Sequence, residues 1–341
     1  MTPSRPPSSV LVYVGFDRVG DGLLKLPFVR GLRQAFPGAR ITWVAGRETS
    51  VYAGVLAGPV EGLIDEVIEN AGIGVSAWEL VRGRPGGALA GRRFDLVIDS
   101  QRIFWTSLSL KRVPHGAFIS SAARFLLSAR KPPKEYAFPR TMQRQLLDLL
   151  ELASGGTFPT PKTLDLDPGD AARVAARRLL PDGPAYIGFA PGSGGPPKVW
   201  TLDGFIAVAK RQAARGRTPV FVLGPKEAAW RDEIAAAVPE ALFPLQADGV
   251  AEAFGYSPLL TVALAARMAG ALSNDSGAAH MLAVGGAPVA ILYGPTDPRK
   301  FQPMTERLVT VHARDFGGRE MRLIPTAAAD AALDRLLGAD R

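Results

Sequence analysis

Short apolar runs rich in Val, Ile and Phe alternate along the chain with longer runs in which apolar residues recur at helical spacing. Strands are predicted by this pattern at residues 9–15, 40–46, 64–69 and 94–100, and helices at residues 21–36, 49–57 and 77–82. Short strands that alternate with helices are typical of βαβ units, in which neighbouring strands run parallel. Residues 10–160 are therefore predicted to form a Rossmann-like domain.

The same alternation begins again after a helix predicted at residues 141–153 and a stretch rich in Gly, Pro and Thr. Residues 161–183 are interpreted as a linker with a connecting helix over residues 168–180. Further strands are predicted at residues 185–190, 218–224, 270–274 and 288–294, and helices at residues 202–214 and 227–238. We therefore expect a second Rossmann-like domain over residues 184–341, with a final helix, and a flexible tail at residues 1–9.

Two doubly wound domains define the predicted fold class, which is α/β with two parallel sheets. Ligands of such sheets bind beyond the carboxyl ends of the strands. We expect a cleft between the two domains to collect the strand ends of both.

The composition restricts the chemistry of the protein. Of the 341 residues, 47% are hydrophobic and 21% are charged, which is typical of a globular protein, and none is cysteine. The lack of cysteine excludes disulfides, thiol nucleophiles and thiolate-bound metals. No apolar stretch approaches the roughly 20 residues of a membrane helix, and the N-terminal residues lack the apolar run of a signal peptide. We therefore expect a cytoplasmic protein that spans no membrane.

The chain is basic, with Lys and Arg exceeding Asp and Glu by 40 − 32 = 8. Because the basic residues are spread along the chain, we do not expect nucleic acid to be a partner. Two denser clusters lie at residues 82–93 and 124–134. The second cluster is a candidate surface for anionic partners.

An acidic residue follows the first predicted strand. In the sequence GFDRVGDGLLKLP, three glycines surround a tight turn that leads to Asp21 at the start of the next helix. Asp is also favoured at helix starts as an N-cap, so the residues alone leave open whether Asp21 is a cap or a reactive acid. The glycine spacing matches neither GxGxxG nor a P-loop, which argues against a dinucleotide fingerprint.

A glycine-rich loop follows the first strand of the second half. The sequence PGSGGPPKVW carries Ser193, Gly194 and Lys198 ahead of a helix. Backbone N–H groups, a hydroxyl and an ammonium suit a diphosphate. The alternative interpretation is an ordinary connection between a strand and a helix.

A second polar segment, NDSGAAH, follows a later strand. Asp275 and Ser276 stand at the start of a helix there, and His280 lies four residues after Ser276 on the same helical face. The other two histidines are far from His280 in sequence, so no metal centre is expected. Asp165 and Asp167 resemble a D-x-D metal motif, but they fall in the predicted linker rather than after a buried strand.

Five segments taken together resemble glycosyltransferase family 9, which contains the bacterial lipopolysaccharide heptosyltransferases. They are GDGLLKLP, FDLVIDSQ, PGSGGPPKVW, NDSGAAH and YGPTDP, in the same order through both halves of the chain. The resemblance implies a GT-B fold and a metal-independent, inverting transfer of a heptose from a nucleotide-diphosphate sugar, usually ADP-heptose, to a core-oligosaccharide acceptor. No cofactor is expected. With the basic cluster at residues 124–134, the resemblance also implies peripheral contact with the inner face of the cytoplasmic membrane.

The resemblance assigns roles to individual residues. Asp21 matches the proposed general base of the family, and Lys198 matches the lysine that holds the donor diphosphate. The implied donor site further contains Ser193, Gly194, Glu227, Asp275, Ser276, Gly277 and His280. The implied acceptor side contains Lys25 and Gln101.

Some positions depart from the family pattern. Lys25 stands where relatives usually carry Thr or Ser, Ser276 stands where Thr is common, and the FDRV segment before Gly20 is unusually polar. Two alternatives of other classes are a GT-B-like sugar-nucleotide epimerase, which needs no acceptor, and a non-catalytic relative that only binds the nucleotide sugar. The missing glycine fingerprint argues against an NAD-dependent oxidoreductase.

Overall fold

A computed structural model describes residues 6–74 and 87–338 of the chain. The helix predicted at residues 77–82 lies outside the described residues. The chain divides into two compact units, Met1–Pro161 and Lys162–Arg341, called unit 1 and unit 2. Within the described ranges, no helix is both long enough and apolar enough to cross a membrane.

Unit 1 consists of strands that alternate with helices. Its described elements are β1 (Ser9–Val14), α1 (Val19–Ala35), β2 (Arg40–Ala45), β3 (Glu66–Ile68), β4 (Phe94–Asp99), α2 (Phe104–Leu110), β5 (His115–Ser120) and α3 (Met142–Ser154). The strands form one parallel sheet in the order β3-β2-β1-β4-β5. From β1 the chain adds β2 and β3 on one side of the sheet and then β4 and β5 on the other. The position between β1 and β4 is therefore a topological switch point, where ligands of doubly wound sheets bind.

The sequence explains the central position of β1. Five of its six residues are buried, and a strand buried on both faces needs a continuous apolar run such as VLVYV rather than an alternating one.

Local residues define both ends of α3. At its start the Thr141 hydroxyl accepts a hydrogen bond from the Arg144 N–H, and at its end Gly155 adopts φ 80°.

Unit 2 repeats the alternation with a different strand order. Its described elements are α4 (Asp170–Leu179), β6 (Tyr186–Ala190), α5 (Leu202–Ala214), β7 (Thr218–Phe221), α6 (Arg231–Ala237), α7 (Val250–Phe254), α8 (Pro258–Ala265), β8 (Met268–Asn274), α9 (Gly277–Val284), β9 (Val289–Tyr293), β10 (Leu308–His312) and α10 (Thr326–Gly338). The strands are parallel in the order β10-β9-β8-β6-β7, so the switch point lies between β6 and β8.

The helix predicted to connect the two domains, α4, contributes to the core of unit 2. Ala172, Ala175 and Ala176 are buried in the same apolar cluster as Leu260 and Leu264 of α8. Small side chains on α4 therefore let it lie close to α8.

All eight predicted strands are found, and α5 has the predicted bounds. The helix predicted at residues 49–57 is wrong, because only a 3-10 turn forms at Val51–Ala53 before Gly54 leaves the helical conformation (φ −138°, ψ −109°). The connecting helix begins at Asp170 rather than at residue 168, since Gly169 adopts φ 84°. Elements that the sequence analysis did not predict are short: α2, β5, α7, α8 and β10 have five to eight residues each.

Candidate active site

Two loops meet at the switch point of unit 2, one after β6 and one after β8. Ala190 at the end of β6 pairs with Ser273 on β8, so the loops start side by side. The fully buried Asn274 amide joins them: its Nδ2 donates to the Pro191 carbonyl (2.7 Å) and its Oδ1 accepts from the Trp200 N–H (3.2 Å). Asn274 therefore fixes both ends of the glycine-rich loop, a role that the sequence analysis did not assign.

Lys198 and Asp275 form an ion pair between these two loops. The Lys198 Nζ lies 2.7 Å from Asp275 Oδ2, and the Thr296 hydroxyl donates to the same oxygen at 2.7 Å. The Asp275 side chain is only 8% exposed, whereas that of Lys198 is 32% exposed. Part of the Lys198 side chain therefore remains accessible to solvent, whereas that of Asp275 is covered. Thr296 was not predicted as a site residue, although it lies within the YGPTDP motif.

The hydroxyl of Ser276 is buried and has no hydrogen-bond partner among the described residues. Ser276 is the N-cap residue of α9, yet its side chain does not cap the helix. The Ser193 hydroxyl lies nearby, 3.5 Å from the Asp275 carbonyl oxygen. An unpaired buried hydroxyl costs free energy, so the start of α9 is prepared to donate to a ligand oxygen, together with the unpaired N–H groups of a helix N-terminus.

A pocket of about 320 Å³ opens at this point. Its polar lining residues include Ser193, Ser276 and Glu227, and its apolar lining residues include Leu245 and Met281. The other lining residues are Gly192, Gly194, Val222, Gly224, Pro225, Lys226, Tyr256, Thr261, Gly277 and Ala278. The predicted donor residues Lys198, Asp275 and His280 are not among the lining residues. Lys198 and Asp275 belong to the two loops that contribute Ser193 and Ser276 to the pocket, and His280 is on α9.

Two glycines make room for the Glu227 side chain. A Cβ atom on Gly192 would lie 2.6 Å from Glu227 Cδ, and one on Gly224 would lie 2.7 Å from Glu227 Oε2. Both distances are shorter than non-bonded atoms allow, so a side chain at either glycine would displace Glu227. The glycine after β6 and the glycine after β7 thus hold the carboxylate between them at the pocket.

His280 is buried on α9, four residues after Ser276. Burial lowers the pKa of His280 to about 4, and this effect outweighs Asp275, which raises the pKa, while Lys198 lowers it further. The imidazole is therefore neutral at pH 7. Among residues 6–74 and 87–338, no group of three or more His, Cys, Asp or Glu side chains is arranged to hold a metal ion.

In unit 1, Asp21 lies in the first turn of α1, next to the switch point between β1 and β4. The N-cap is Arg18, so Asp21 is not the helix cap, which was one of the two interpretations left open. Its carboxylate is half-buried and forms no hydrogen bond or ion pair with any described residue. A carboxylate without a protein partner at this position is free to accept a proton.

Gln101 lies across the same switch point. A Cβ atom on Gly15, which follows β1, would come within 3.5 Å of Gln101 Oε1. The Gln101 N–H donates to Asp99 Oδ1 (2.9 Å). Asp99 is fully buried and also accepts hydrogen bonds from Ser107 and Ser120. Burial raises the pKa of Asp99 to about 6 despite these hydrogen bonds.

Lys25, predicted on the acceptor side, is only 4% exposed and does not present its ammonium to solvent. It forms an ion pair with Asp17, which also accepts hydrogen bonds from Trp43 Nε1 (2.8 Å) and the Ser50 hydroxyl (2.9 Å). The Asp17 side chain is fully buried. The unusual polarity of FDRV and the unusual Lys25 are therefore one feature, since the two charges neutralise each other inside unit 1.

Comparisons with known proteins agree with this architecture. The chain is similar to lipooligosaccharide heptosyltransferase 2 of Haemophilus influenzae, with 24% identity over 321 residues that cover 88% of each chain. Among solved structures, it is similar to a glycosyl transferase family 9 protein from Veillonella parvula (TM-score 0.72, 20% identity, 99% and 100% of the chains). It is also similar to the ADP-heptose lps heptosyltransferase II of E. coli (TM-score 0.68, 20% identity, 97% and 99% of the chains). The likeness confirms the predicted GT-B fold class.

The model of glycosyltransferase family 9 (heptosyltransferase) matches residues 82–322, which is more than half of the chain. The match contains the glycine-rich loop after β6, the NDSGAAH segment and the YGPTDP segment, and it begins after Asp21. The resemblance drawn from the five sequence segments is thereby confirmed, and the chain belongs to glycosyltransferase family 9.

Proposed function

We propose that the protein is an inverting, metal-independent glycosyltransferase that moves a heptose from ADP-heptose to a lipopolysaccharide core or another cell-surface glycan. The observation that carries the proposal is the buried Ser276 hydroxyl at the start of α9, which has no hydrogen-bond partner among the described residues. Lys198, whose side chain is 32% exposed, contacts Asp275, the residue before Ser276. Hydrogen-bond donors and a positive charge at one point suit the oxygens of a diphosphate. The E. coli structure named for ADP-heptose supports the choice of donor.

In this proposal the donor occupies the pocket of unit 2. The diphosphate lies at the start of α9, where the Ser276 hydroxyl and the helix N–H groups donate to it and Lys198 balances its charge. The nucleoside lies against Leu245 and Met281, and Glu227 accepts a hydrogen bond from a ribose hydroxyl. As the leaving diphosphate gains charge, donors already in position stabilise it by a few kcal/mol each, on the order of the effect of one oxyanion-hole donor.

Asp21 is the general base of the proposed reaction. It removes the proton from the acceptor hydroxyl while the acceptor oxygen bonds to the anomeric carbon and the bond from that carbon to the phosphate oxygen breaks. A single displacement inverts the configuration and needs only one base. Gln101 is proposed on the acceptor side. We assign Lys25 an indirect part there, because its ion pair with Asp17 fixes the turn that leads to Asp21.

The proposal includes the cellular setting. A lipid-linked acceptor places the enzyme at the cytoplasmic face of the membrane, in peripheral contact with it. The basic cluster at residues 124–134 supports such contact, because anionic lipids attract juxtamembrane basic residues.

Calorimetric titration with ADP, UDP, GDP and CMP tests the donor site. We expect selective binding of ADP, and about 10- to 100-fold weaker binding by Lys198→Met, since a charged hydrogen bond contributes about 1.5–3 kcal/mol. Ser276→Ala should weaken binding by a smaller factor. Lys210→Met, which changes an exposed lysine on α5, is the matched control and should bind ADP as the wild type does. Failure of every diphosphate to bind would refute the donor site.

Transfer assays with Asp21→Asn test the base. We expect a loss of about 10²- to 10⁴-fold in transfer with unchanged affinity for ADP. Activity within tenfold of the wild type would show that Asp21 is not the base. Appearance of an isomerised sugar nucleotide in a reaction without acceptor would instead favour the epimerase.

A further inference from the structure

Almost all of the excess positive charge of the protein lies in one stretch of unit 1. Residues 102–140 contain eight Lys and Arg residues and a single acid, Glu135, so this stretch has a charge of 8 − 1 = +7 out of +8 for the whole chain. Six of the basic side chains are exposed: Arg102, Lys111, Arg124, Lys131, Lys134 and Arg140. Such a concentration of like charge makes the potential around this stretch positive.

The same stretch also exposes large apolar side chains. Ile103 is 46% exposed, Trp105 is 58% exposed and Leu126 is 62% exposed. They are three of the six large hydrophobic side chains that are exposed in the described part of the chain. Their concentration within 24 residues (103–126) is unusual, since exposed apolar groups are normally scattered singly.

Two segments of this stretch contact each other. The Arg102 guanidinium stacks on the Phe138 ring at 4.1 Å, and Phe138 stacks on Phe125 with a centroid distance of 5.5 Å. At the other end, Lys111 Nζ donates to the Leu127 carbonyl at 3.1 Å. Residues 102–111 and 123–138 therefore form one continuous surface, which we call the basic-apolar surface.

An unusual turn exposes Leu126 on this surface. Ala123, Arg124 and Phe125 have consecutive φ values of 46°, 54° and 63°. Left-handed conformations are unfavourable for residues other than glycine, and such strain is often retained at functional positions. The turn buries Phe125 against Phe138 and leaves Arg124 and Leu126 in solvent. The described residues of unit 1 therefore leave most of the Leu126 side chain uncovered.

We propose that the basic-apolar surface docks unit 1 onto an anionic lipid bilayer. Its basic side chains complement the negative charge of phospholipid headgroups. Its exposed Trp105, Ile103 and Leu126 match the boundary between headgroups and acyl chains, where tryptophan is enriched. A purely polyanionic partner accounts for the charges but gives no reason to expose three large apolar side chains. The inference rests on the peripheral membrane contact of the proposed function and names the residues that make it.

Vesicle sedimentation tests the surface without donor or acceptor. The full chain should sediment with vesicles of phosphatidylglycerol and phosphatidylcholine but not with pure phosphatidylcholine. Binding should weaken from 0.1 M to 1 M salt, where the Debye length falls from about 10 Å to about 3 Å. We expect Trp105→Ser/Leu126→Ser and Lys131→Glu/Lys134→Glu each to reduce the partition coefficient at least about tenfold. The first variant removes apolar side chains that insert at the headgroup boundary, and the second reverses two charges that attract anionic lipids.

The control variant is Val174→Ser/Arg178→Glu, which changes exposed residues on α4 of unit 2 and should bind vesicles as the wild type does. Equal binding by the control and both surface variants would overturn the proposal. Loss of binding in the charge variant alone, with Trp105→Ser/Leu126→Ser unaffected, would also overturn it in favour of a polyanion site. Transfer to a deacylated, water-soluble acceptor should be unchanged in all variants, so failure of the transferase and failure of the docking surface are distinguishable.

Discussion

Replacing Lys25 by methionine should destabilise unit 1 by about 3–5 kcal/mol, which is the cost of removing one partner from a buried ion pair. The Asp17 side chain is 0% exposed and that of Lys25 is 6% exposed. Without the ammonium, Asp17 remains a buried carboxylate whose other donors are neutral, Trp43 Nε1 and the Ser50 hydroxyl. These two hydrogen bonds cannot replace the lost positive charge.

Amide hydrogen exchange measures this cost separately in each unit. The central amides of β1 and β2 exchange through global opening of unit 1, so a loss of about 3–5 kcal/mol should accelerate their exchange by about 10²- to 10⁴-fold. The amides of β6 belong to unit 2 and provide an internal reference. They should exchange at the wild-type rate.

A double variant separates the charge effect from the loss of packing. In Asp17→Asn/Lys25→Met no charge is left behind, and the Asn oxygen still accepts from Trp43. It should therefore be more stable than Lys25→Met. Lys162→Met, which removes an exposed ion pair with Glu306, should change stability little. Exchange of β1 amides in Lys25→Met within tenfold of the wild type would refute the argument, and so would a double variant less stable than Lys25→Met.

Three further predictions concern the pocket and two buried titratable groups. Gly192→Ala should weaken ADP binding by about tenfold in calorimetry, because its Cβ would lie 2.6 Å from Glu227 Cδ and displace that side chain. The pKa of Asp99 is raised from 3.8 to about 6 in the folded protein. As the pH rises from 4 to 6, Asp99 therefore ionises in the unfolded chain before it ionises in the folded one, and the free energy of unfolding of unit 1 should fall by up to about 3 kcal/mol. His280 has its pKa lowered from 6.5 to about 4, so its contribution has the opposite sign, and unit 2 should lose stability as the pH falls from 6.5 to 4.

Each of these predictions has a control or a measurement that could contradict it. Gly38→Ala, whose Cβ would meet nothing within 4 Å, should bind ADP normally, and a normal affinity in Gly192→Ala would contradict the glycine argument. Asp99→Asn should abolish the pH dependence assigned to Asp99 in urea unfolding at pH 4.5 and 7. An NMR titration of His280 with a midpoint near 6.5 would contradict its burial.

Much of the architecture follows from local sequence. Continuous apolar runs such as VLVYV predict strands buried on both faces, because only parallel sheets covered on both faces need them. The bounds of α5 were predicted because its apolar residues recur at helical spacing. Where the pattern is short or interrupted, as at residues 49–57, a single glycine outweighed the apolar periodicity.

The sequence predicted the contiguous motifs of the candidate site but missed residues that act through distant contacts. The glycine-rich loop and the NDSGAAH segment are contiguous motifs, so the sequence could identify them. Asn274 and Thr296 act through contacts with residues far away in the chain: Asn274 binds Pro191 and Trp200, and Thr296 binds Asp275. Such contacts depend on strand order, which local patterns do not contain.

The sequence by itself determined the succession of strands and helices, the family and the residue types at the two switch points, because these are properties of contiguous segments. Only the tertiary structure decided which charges are neutralised and which stay available. Lys25 and Asp21 stand four residues apart on one helix. Lys25 is buried against Asp17, whereas the Asp21 carboxylate pairs with none of the described residues. The difference arises because burial and charge pairing depend on what the neighbouring elements bring against each side chain, and the fold alone sets that.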